Sequence, residues 1–397
     1  MTSATVPMMP SAPRPRIASL DIIRGVVMIL MAVDHVRVFS GVPAGSPDPA
    51  VFMTRWITNF VAPAFVFLAG TGAYLYGRRI NDRAALAKFL AVRGAWLIFL
   101  ELTFLRFAWT FNFDYSHYML AGVIWMLGWC MILLAALIWL PMWAIAAFGL
   151  IMIGGHNLID LSSAGIFGRN AGASALGPIL QLLYYGGQVG TLSVLYVIVP
   201  WIGVMAAGYA FGQVMEWPED RRDAFCFKTG AAAILLFVVL RYLDVYGDPR
   251  SWADLPGWHG TPAVLRFIGT SKYPASLLFL LMTLGPMFLA IPLLADAHGT
   301  VSRMLATIGR VPLFFYLLHI PVIHLLALAV SYGRSGAVSP WLFGNHPMDP
   351  PPLPDGYMWS LPLLYAVTAL AIVLLYPLCA WFARLKNERQ DAWLTYL

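Results

Sequence analysis

The chain has 397 residues, 60% of them hydrophobic and only 11% charged, against about 25% charged residues in an average soluble domain. That much apolar surface exceeds what one globular core hides, so a water-soluble fold is excluded and the chain belongs in a bilayer. Its 25 Lys and Arg against 19 Asp and Glu give a net charge of +6, an excess that in a membrane chain reports cytoplasmic loops and not nucleic acid binding.

Residues 1–16 hold four prolines and end in Arg14 and Arg16, which reads as a disordered cytoplasmic tail. The apolar stretch that follows contains Asp21, Arg24, Asp34, His35 and Arg37 and has no small-residue cleavage site. It is therefore a retained first span and not a signal peptide. A window of roughly 20 apolar residues, the reach of a helix across a bilayer core, predicts spans at 17–39, 52–77, 92–111, 119–140, 142–159, 189–214, 229–247, 274–295, 311–331 and 359–383. The expected fold is all-α: a polytopic integral membrane protein with about ten transmembrane helices in one bundle. The membrane domain is expected at 17–384, with a cytoplasmic C-terminal tail at 385–397.

Basic residues orient it. Arg78, Arg79, Arg83 and Lys88 follow the second span, Arg221, Arg222 and Lys228 the sixth, Arg303 and Arg310 the eighth, and Arg384, Lys386 and Arg389 the tenth. All four clusters fall on one side, which places both termini in the cytoplasm. The loops 160–188, 248–273 and 332–358 then face outward and are rich in Gly, Pro and Trp. Cys130, Cys226 and Cys379 are far apart and form no CxxC pair, so neither a disulfide framework nor a zinc site is encoded and no metal is expected. There is no phosphate-binding glycine loop and no HExxH, and the small residues Gly70, Gly72, Gly203 and Gly208 read as close helix packing. No internal repeat is visible, which counts against inverted-repeat transporters.

An ionisable group inside a span is costly unless paired or hydrated, so its default reading is functional. Setting Asp21 at zero and turning about 100° per residue, Arg24 falls near 300° and His35 near 320°, while Asp34 falls near 220° and Arg37 near 160°. Asp21, Arg24 and His35 share a face that runs about 21 Å along the helix, from the inner surface towards the outer one. Asp21 and Arg24 are also spaced for a simple salt bridge, which leaves His35 unexplained. Glu101, eight residues into the third span, suggests a buried ion pair with an arginine. Asn112, Asp114 and His117 follow that span at the outer mouth, as an acceptor site or an ordinary loop. Tyr316 and His319 lie three apart and can share one site, whereas His324 faces elsewhere. Lys272 and Tyr273 precede the eighth span and suit either a phosphate or sugar contact or interfacial anchoring.

The strings RIASLDIIRGVVMILMAVDHVRVF and NFVAPAFVFLAGTGAYLYGRR resemble the start of the catalytic domain of heparan-α-glucosaminide N-acetyltransferases and their bacterial relatives, with R-x-x-S-L-D-x-x-R-G followed by F-V-F-L-x-G. The similarity continues through RGAWLIFLELTFLRFAWTFNF, TSKYPASLLFLLMTLG and GRVPLFFYLLHIPVIHLL. A more remote similarity joins the first span to membrane acyltransferases of surface polysaccharides, which carry R-G followed by a histidine about ten residues later. The resemblance implies acyl transfer, typically acetyl from acetyl-CoA, across a bacterial inner membrane to an extracytoplasmic small molecule or glycan. The lysosomal enzyme is thought to use a histidine of the first external loop; residues 40–54 contain none here, so His35 takes that role.

The implied scheme has Asp21, Arg24 and Arg93 at the anionic nucleotide of acyl-CoA, with catalysis at His35, Asp34 and His319. His35 serves as general base or as an acylated intermediate. Asn112, Asp114, His117, Lys272 and Tyr273 are candidates for the acceptor side. Two rivals remain, a proton- or anion-coupled transporter and a haem protein using two of His35, His319 and His324. Oligomeric state, a homodimer included, is left open.

Overall fold

The computed structural model describes residues 18–158, 177–253, 261–389 and 391–396. The tail 1–16 and most of the predicted outer loop 160–188 lie outside the described residues. Each predicted span contains a helix, and α1 (Ala18–Ser40) is the one around which the others gather. The outer segment between α1 and α3 contains α2 (Pro49–Trp56), whose start is capped by Asp48, and a 3₁₀ turn at Ile57–Phe60 that runs into α3 (Val61–Ile80). Next come α4 (Arg83–Leu100), a π-helical turn at Glu101–Leu105 and the short α5 (Arg106–Thr110). They are followed by α6 (Val123–Leu137), α7 (Met142–Gly155), α8 (Gly177–Leu180) and α9 (Trp201–Phe211). The chain continues through α10 (Glu219–Leu243), α11 (Ala263–Ile268), α12 (Leu277–Leu293), α13 (Thr300–Gly309), α14 (Pro312–Ser335) and α15 (Leu361–Glu388).

Four helical stretches among the described residues are long and apolar enough to cross a membrane: Pro49–Ile80, Glu219–Leu243, Pro312–Ser335 and Leu361–Glu388. Val123–Leu137, Met142–Gly155 and Leu277–Leu293 are apolar but shorter. Helix α1 has 23 residues, enough length to span, but carries Asp21, Arg24, Asp34 and Arg37 along it.

The expectation of an all-helical chain needs one correction. Three short strands, β1 (Met119–Ala121), β2 (Gly187–Val189) and β3 (Leu192–Val194), form a sheet in the order β1-β3-β2, with β3 parallel to β1 and antiparallel to β2. Its β2–β3 hairpin occupies the start of the segment 189–214 that the apolar window reads as helix. A run of Val, Leu and Tyr satisfies a buried strand as well as a helix, and the helix begins only after Pro200. The stretch between the eighth and ninth predicted spans also holds an amphipathic helix, α13.

Glycines set how closely the helices approach. A Cβ built at Gly25 of α1 would lie 2.0 Å from the Leu305 carbonyl oxygen of α13, and one at Gly309 would lie 1.9 Å from that of Asp21. Gly70 and Gly208 place α3 against α9 in the same way, since a Cβ built at either would lie 2.1 Å from a backbone oxygen across the contact. Such contacts bring backbones together where lipid gives no hydrophobic drive between helices. Gly72 does not share this role; its open side faces the Arg24 guanidinium.

Glu101 departs from its expected pairing with an arginine. Its carboxylate Oε2 accepts the backbone N–H groups of Ile124 at 3.0 Å and Trp125 at 3.2 Å, so it caps the start of α6, where unpaired N–H groups and the helix dipole both favour an anion. The π-helical turn that begins at Glu101 accompanies this tilt of the chain.

Candidate active site

Helix α1 carries the polar groups of both ends. At the end next to α13, Arg24 donates to the Asp21 carboxylate at 3.1 Å and to the Leu68 carbonyl at 3.2 Å, while Arg310 stands 3.8 Å from the same carboxylate. Arg93 of α4 is half-buried, stacks over Phe89 and lies within electrostatic reach of Arg24. Two guanidinium groups, those of Arg24 and Arg310, thus face the Asp21 carboxylate here, with Arg93 within electrostatic reach of Arg24.

His35 lies eleven residues further along, about 16 Å at 1.5 Å per residue. Its Nδ1 meets His319 Nε2 at 2.5 Å, and the two rings stack with centroids 4.8 Å apart. His319 is fully buried, and its Nδ1 lies 2.6 Å from the Tyr316 carbonyl oxygen. A carbonyl only accepts, so His319 Nδ1 carries the proton. In a neutral pair His319 Nε2 is then the acceptor, and His35 donates from Nδ1. The relay leaves His35 Nε2 with a free lone pair. Trp109 meets the His35 ring edge-on at 5.0 Å and walls it in.

Asp34 does not orient the imidazole. It accepts from Arg37 at 3.0 Å and stands 3.8 Å from Arg55, and the partner of the His35 ring is His319. Beside them is a small cavity lined by Met31, Asp34, His35, Thr58, Val123, Tyr196 and Lys272 among others, with about 30 Å³ open to the centres of water-sized molecules. At roughly 10–15 Å³ per water in this measure, that is room for about two waters.

Lys272 enters the cavity from the loop before α12, a loop pinned on several sides. Asp248 accepts from the Ser271 backbone at 2.7 Å and from the hydroxyls of Ser271 and Ser276, both at 2.8 Å. His156 donates from Nε2 to the Ala275 carbonyl at 2.8 Å, and Asn157 accepts from the Leu277 backbone at 2.8 Å. The ammonium lies 5.9 Å from the Tyr196 ring centre and 5.4 Å from that of Tyr273, and these two rings meet edge-to-face.

The structure therefore brings His35, His319, Asp34, Lys272 and Tyr273 into one cluster, and Asp21, Arg24 and Arg93 into another. Asn112, Asp114 and His117 do not line the cavity. Asn112 and Asp114 wrap the buried Arg106, which donates to the Asn112 side chain at 2.7 Å and to the Asp114 carbonyl. His117 pairs with the Asp114 carboxylate at 2.6 Å, and hydrogen bonds from Ser116 and His117 hold that exposed carboxyl below the ordinary aspartate range. His324 packs among Phe39 and Phe111 and donates to the Ala108 carbonyl at 3.0 Å, away from His319. Tyr196 and Arg55 were not among the expected site residues.

Comparison with curated proteins finds no match. The family described as heparan-alpha-glucosaminide N-acetyltransferase, catalytic, matches residues 16–246, more than half the chain and the whole of α1 with its two polar ends. This apolar, largely helical chain belongs to the heparan-alpha-glucosaminide N-acetyltransferase catalytic family, a family of membrane acetyltransferases.

Proposed function

We propose that the chain transfers an acetyl group from acetyl-CoA on the cytoplasmic side of a bacterial inner membrane to a sugar or other glycan on the far side, with His35 as general base. The observation that carries this reading is the Tyr316–His319–His35 relay, which leaves a lone pair on Nε2 of His35, a residue that lines a small cavity. The two guanidinium groups of Arg24 and Arg310 at the single Asp21 carboxylate fit the phosphates of the donor, and the extended pantetheine arm is long enough to cover the roughly 16 Å of α1 up to His35. Acceptor hydroxyl or amine gives its proton to His35 Nε2 and attacks the thioester carbon. The C–S bond then breaks, and the leaving thiolate recovers that proton from the imidazolium. Tyr196 and Tyr273 form the aromatic wall on which a sugar can stack. The membrane domain 17–384 and the two cytoplasmic tails follow from the same reading.

The test is acetyl transfer by the purified full-length chain, with radiolabelled acetyl-CoA as donor and glucosamine as acceptor. Removing a general base costs about 10²- to 10⁴-fold, so His35→Ala is expected to lose transfer while calorimetry still shows acetyl-CoA binding. Transfer at the parental rate by a folded His35→Ala protein would overturn the assignment.

A further inference from the structure

We infer that Lys272 is a further catalytic residue, the cation that stabilises the oxyanion formed when the acceptor attacks the thioester. This rests on the acyltransfer reading and adds to it a charge that the histidine relay does not supply.

The argument starts from the charges around the cavity. Lys272 and His35 line it with Asp34 as the single carboxylate, and two further cations, Arg37 and Arg55, stand against that carboxylate. Two of the three cations are already committed. Arg37 pairs with Asp34 at 3.0 Å and donates to the Val42 carbonyl at 3.0 Å. Arg55 stands 3.8 Å from Asp34 and donates to Thr58 at 2.9 Å and Asn59 at 3.2 Å. Lys272 is 8% exposed and has no carboxylate within 4.0 Å among the described residues. Its ammonium lies 5.9 Å and 5.4 Å from the ring centres of Tyr196 and Tyr273 and hydrogen-bonds the Tyr273 side chain, partners that tolerate a cation without the full charge of a carboxylate.

A buried cation without a carboxylate is expensive to maintain. Even so, four residues around it are fastened: Ser271 and Ser276 by Asp248, Ala275 by His156, and Leu277 by Asn157. That framework aims one flexible side chain at the cavity that His35 also lines. About 30 Å³ is room for about two waters, and the group that must reach His35 for transfer is the thioester carbonyl. The negative charge that Lys272 meets is therefore the one that develops on the thioester oxygen. As the acceptor atom bonds to the carbonyl carbon, the C=O π pair moves onto oxygen beside the ammonium; as the oxyanion collapses, the C=O bond re-forms and the C–S bond breaks. Lys272 gives up no proton in either step. A preorganised charge in a small, largely buried site is effective because it need not reorganise.

The experiment compares the full-length chain with Lys272→Met and Lys272→Arg, using acetyl-CoA and glucosamine and separating kcat from KM for both. Loss of one oxyanion donor costs about 10²- to 10³-fold in kcat, so Lys272→Met is expected to fall by that factor with both KM values within about threefold, and Lys272→Arg to recover part of the loss. Acetyl-CoA binding and the melting temperature monitor folding. A rise in the acceptor KM at unchanged kcat would make Lys272 an acceptor anchor and overturn the inference. So would parental kcat in Lys272→Met, or a loss in both variants that tracks melting temperature. A parent with no acetyl transfer at all would instead refute the underlying function.

Discussion

His319 illustrates how one buried carbonyl can determine the chemistry of a residue two rings away. Because the Tyr316 oxygen can only accept, the proton order along the relay is set from the scaffold end, and His319 acts as a positioning residue and not as a second base. His319→Phe keeps a ring between Phe315 and Tyr316, which flank it at 5.6 and 5.2 Å, but removes the acceptor for His35 Nδ1–H. The proposed relay predicts a kcat loss of about 10²-fold or more with KM for acetyl-CoA unchanged, together with a shifted acidic limb of the pH–rate profile. A folded His319→Phe protein with parental kcat and pH profile would show that the ring contact is only packing. At this scale the sequence was informative where residue type and depth coincide: an imidazole within an apolar helix is unusual enough to single out His35 and His319. The partner of the His35 ring was not legible, because consecutive helical residues diverge by about 100°, which turns Asp34 away, and His319 comes from a helix 284 positions away. Arg55 and Tyr196 escaped notice because each sits where an aromatic or arginine is ordinary, at an interface or in an apolar run.

At the level of elements, Glu101 ties the end of α4 to the start of α6 through two backbone N–H groups, and Val123, the first residue of α6, lines the cavity. Loss of the carboxylate in Glu101→Ala is expected to destabilise the chain by about 1–3 kcal/mol, from the lost cap and the two N–H groups left buried. Glu101→Gln keeps an acceptor oxygen and should cost less. Thermal unfolding in detergent measures both, and equal melting temperatures for Glu101→Ala and the parent would refute the cap. Each of the ten apolar windows contains a helix among the described residues, since burial in lipid and burial in protein both demand apolar runs. It misplaced the boundary at 189–214 because hydropathy alone does not separate strand from helix, and it passed over α13 because an amphipathic helix has no apolar run to find.

For the whole molecule, the four basic clusters support a cytoplasmic location for both termini. The native cysteines are all buried, so introduced cysteines report cleanly. Asp355→Cys, in an exposed stretch between α14 and α15, should react with an impermeant maleimide on intact cells, whereas Arg79→Cys at the end of α3 should react only after lysis. The reverse pattern would invert the chain and move the proposed donor site to the wrong face. Orientation is readable in a sequence because it depends on a sum over loops. The active-site arrangement is not, because it depends on which helices become neighbours.

Between Arg24 and Asp34 lies the stretch Gly25–Val33, GVVMILMAV, without an ionisable side chain, and Val27, Met28, Met31 and Ala32 in it are almost completely buried. A machine with polar chemistry at both ends of one helix risks becoming a wire that discharges the voltage of its own membrane. In the proposed transfer the nine apolar residues would act as an insulator: a neutral two-carbon fragment would be carried past them covalently, while an ion or a bare proton would meet the full dielectric penalty of an apolar core. The helix proposed to join donor and base would also keep them electrically apart.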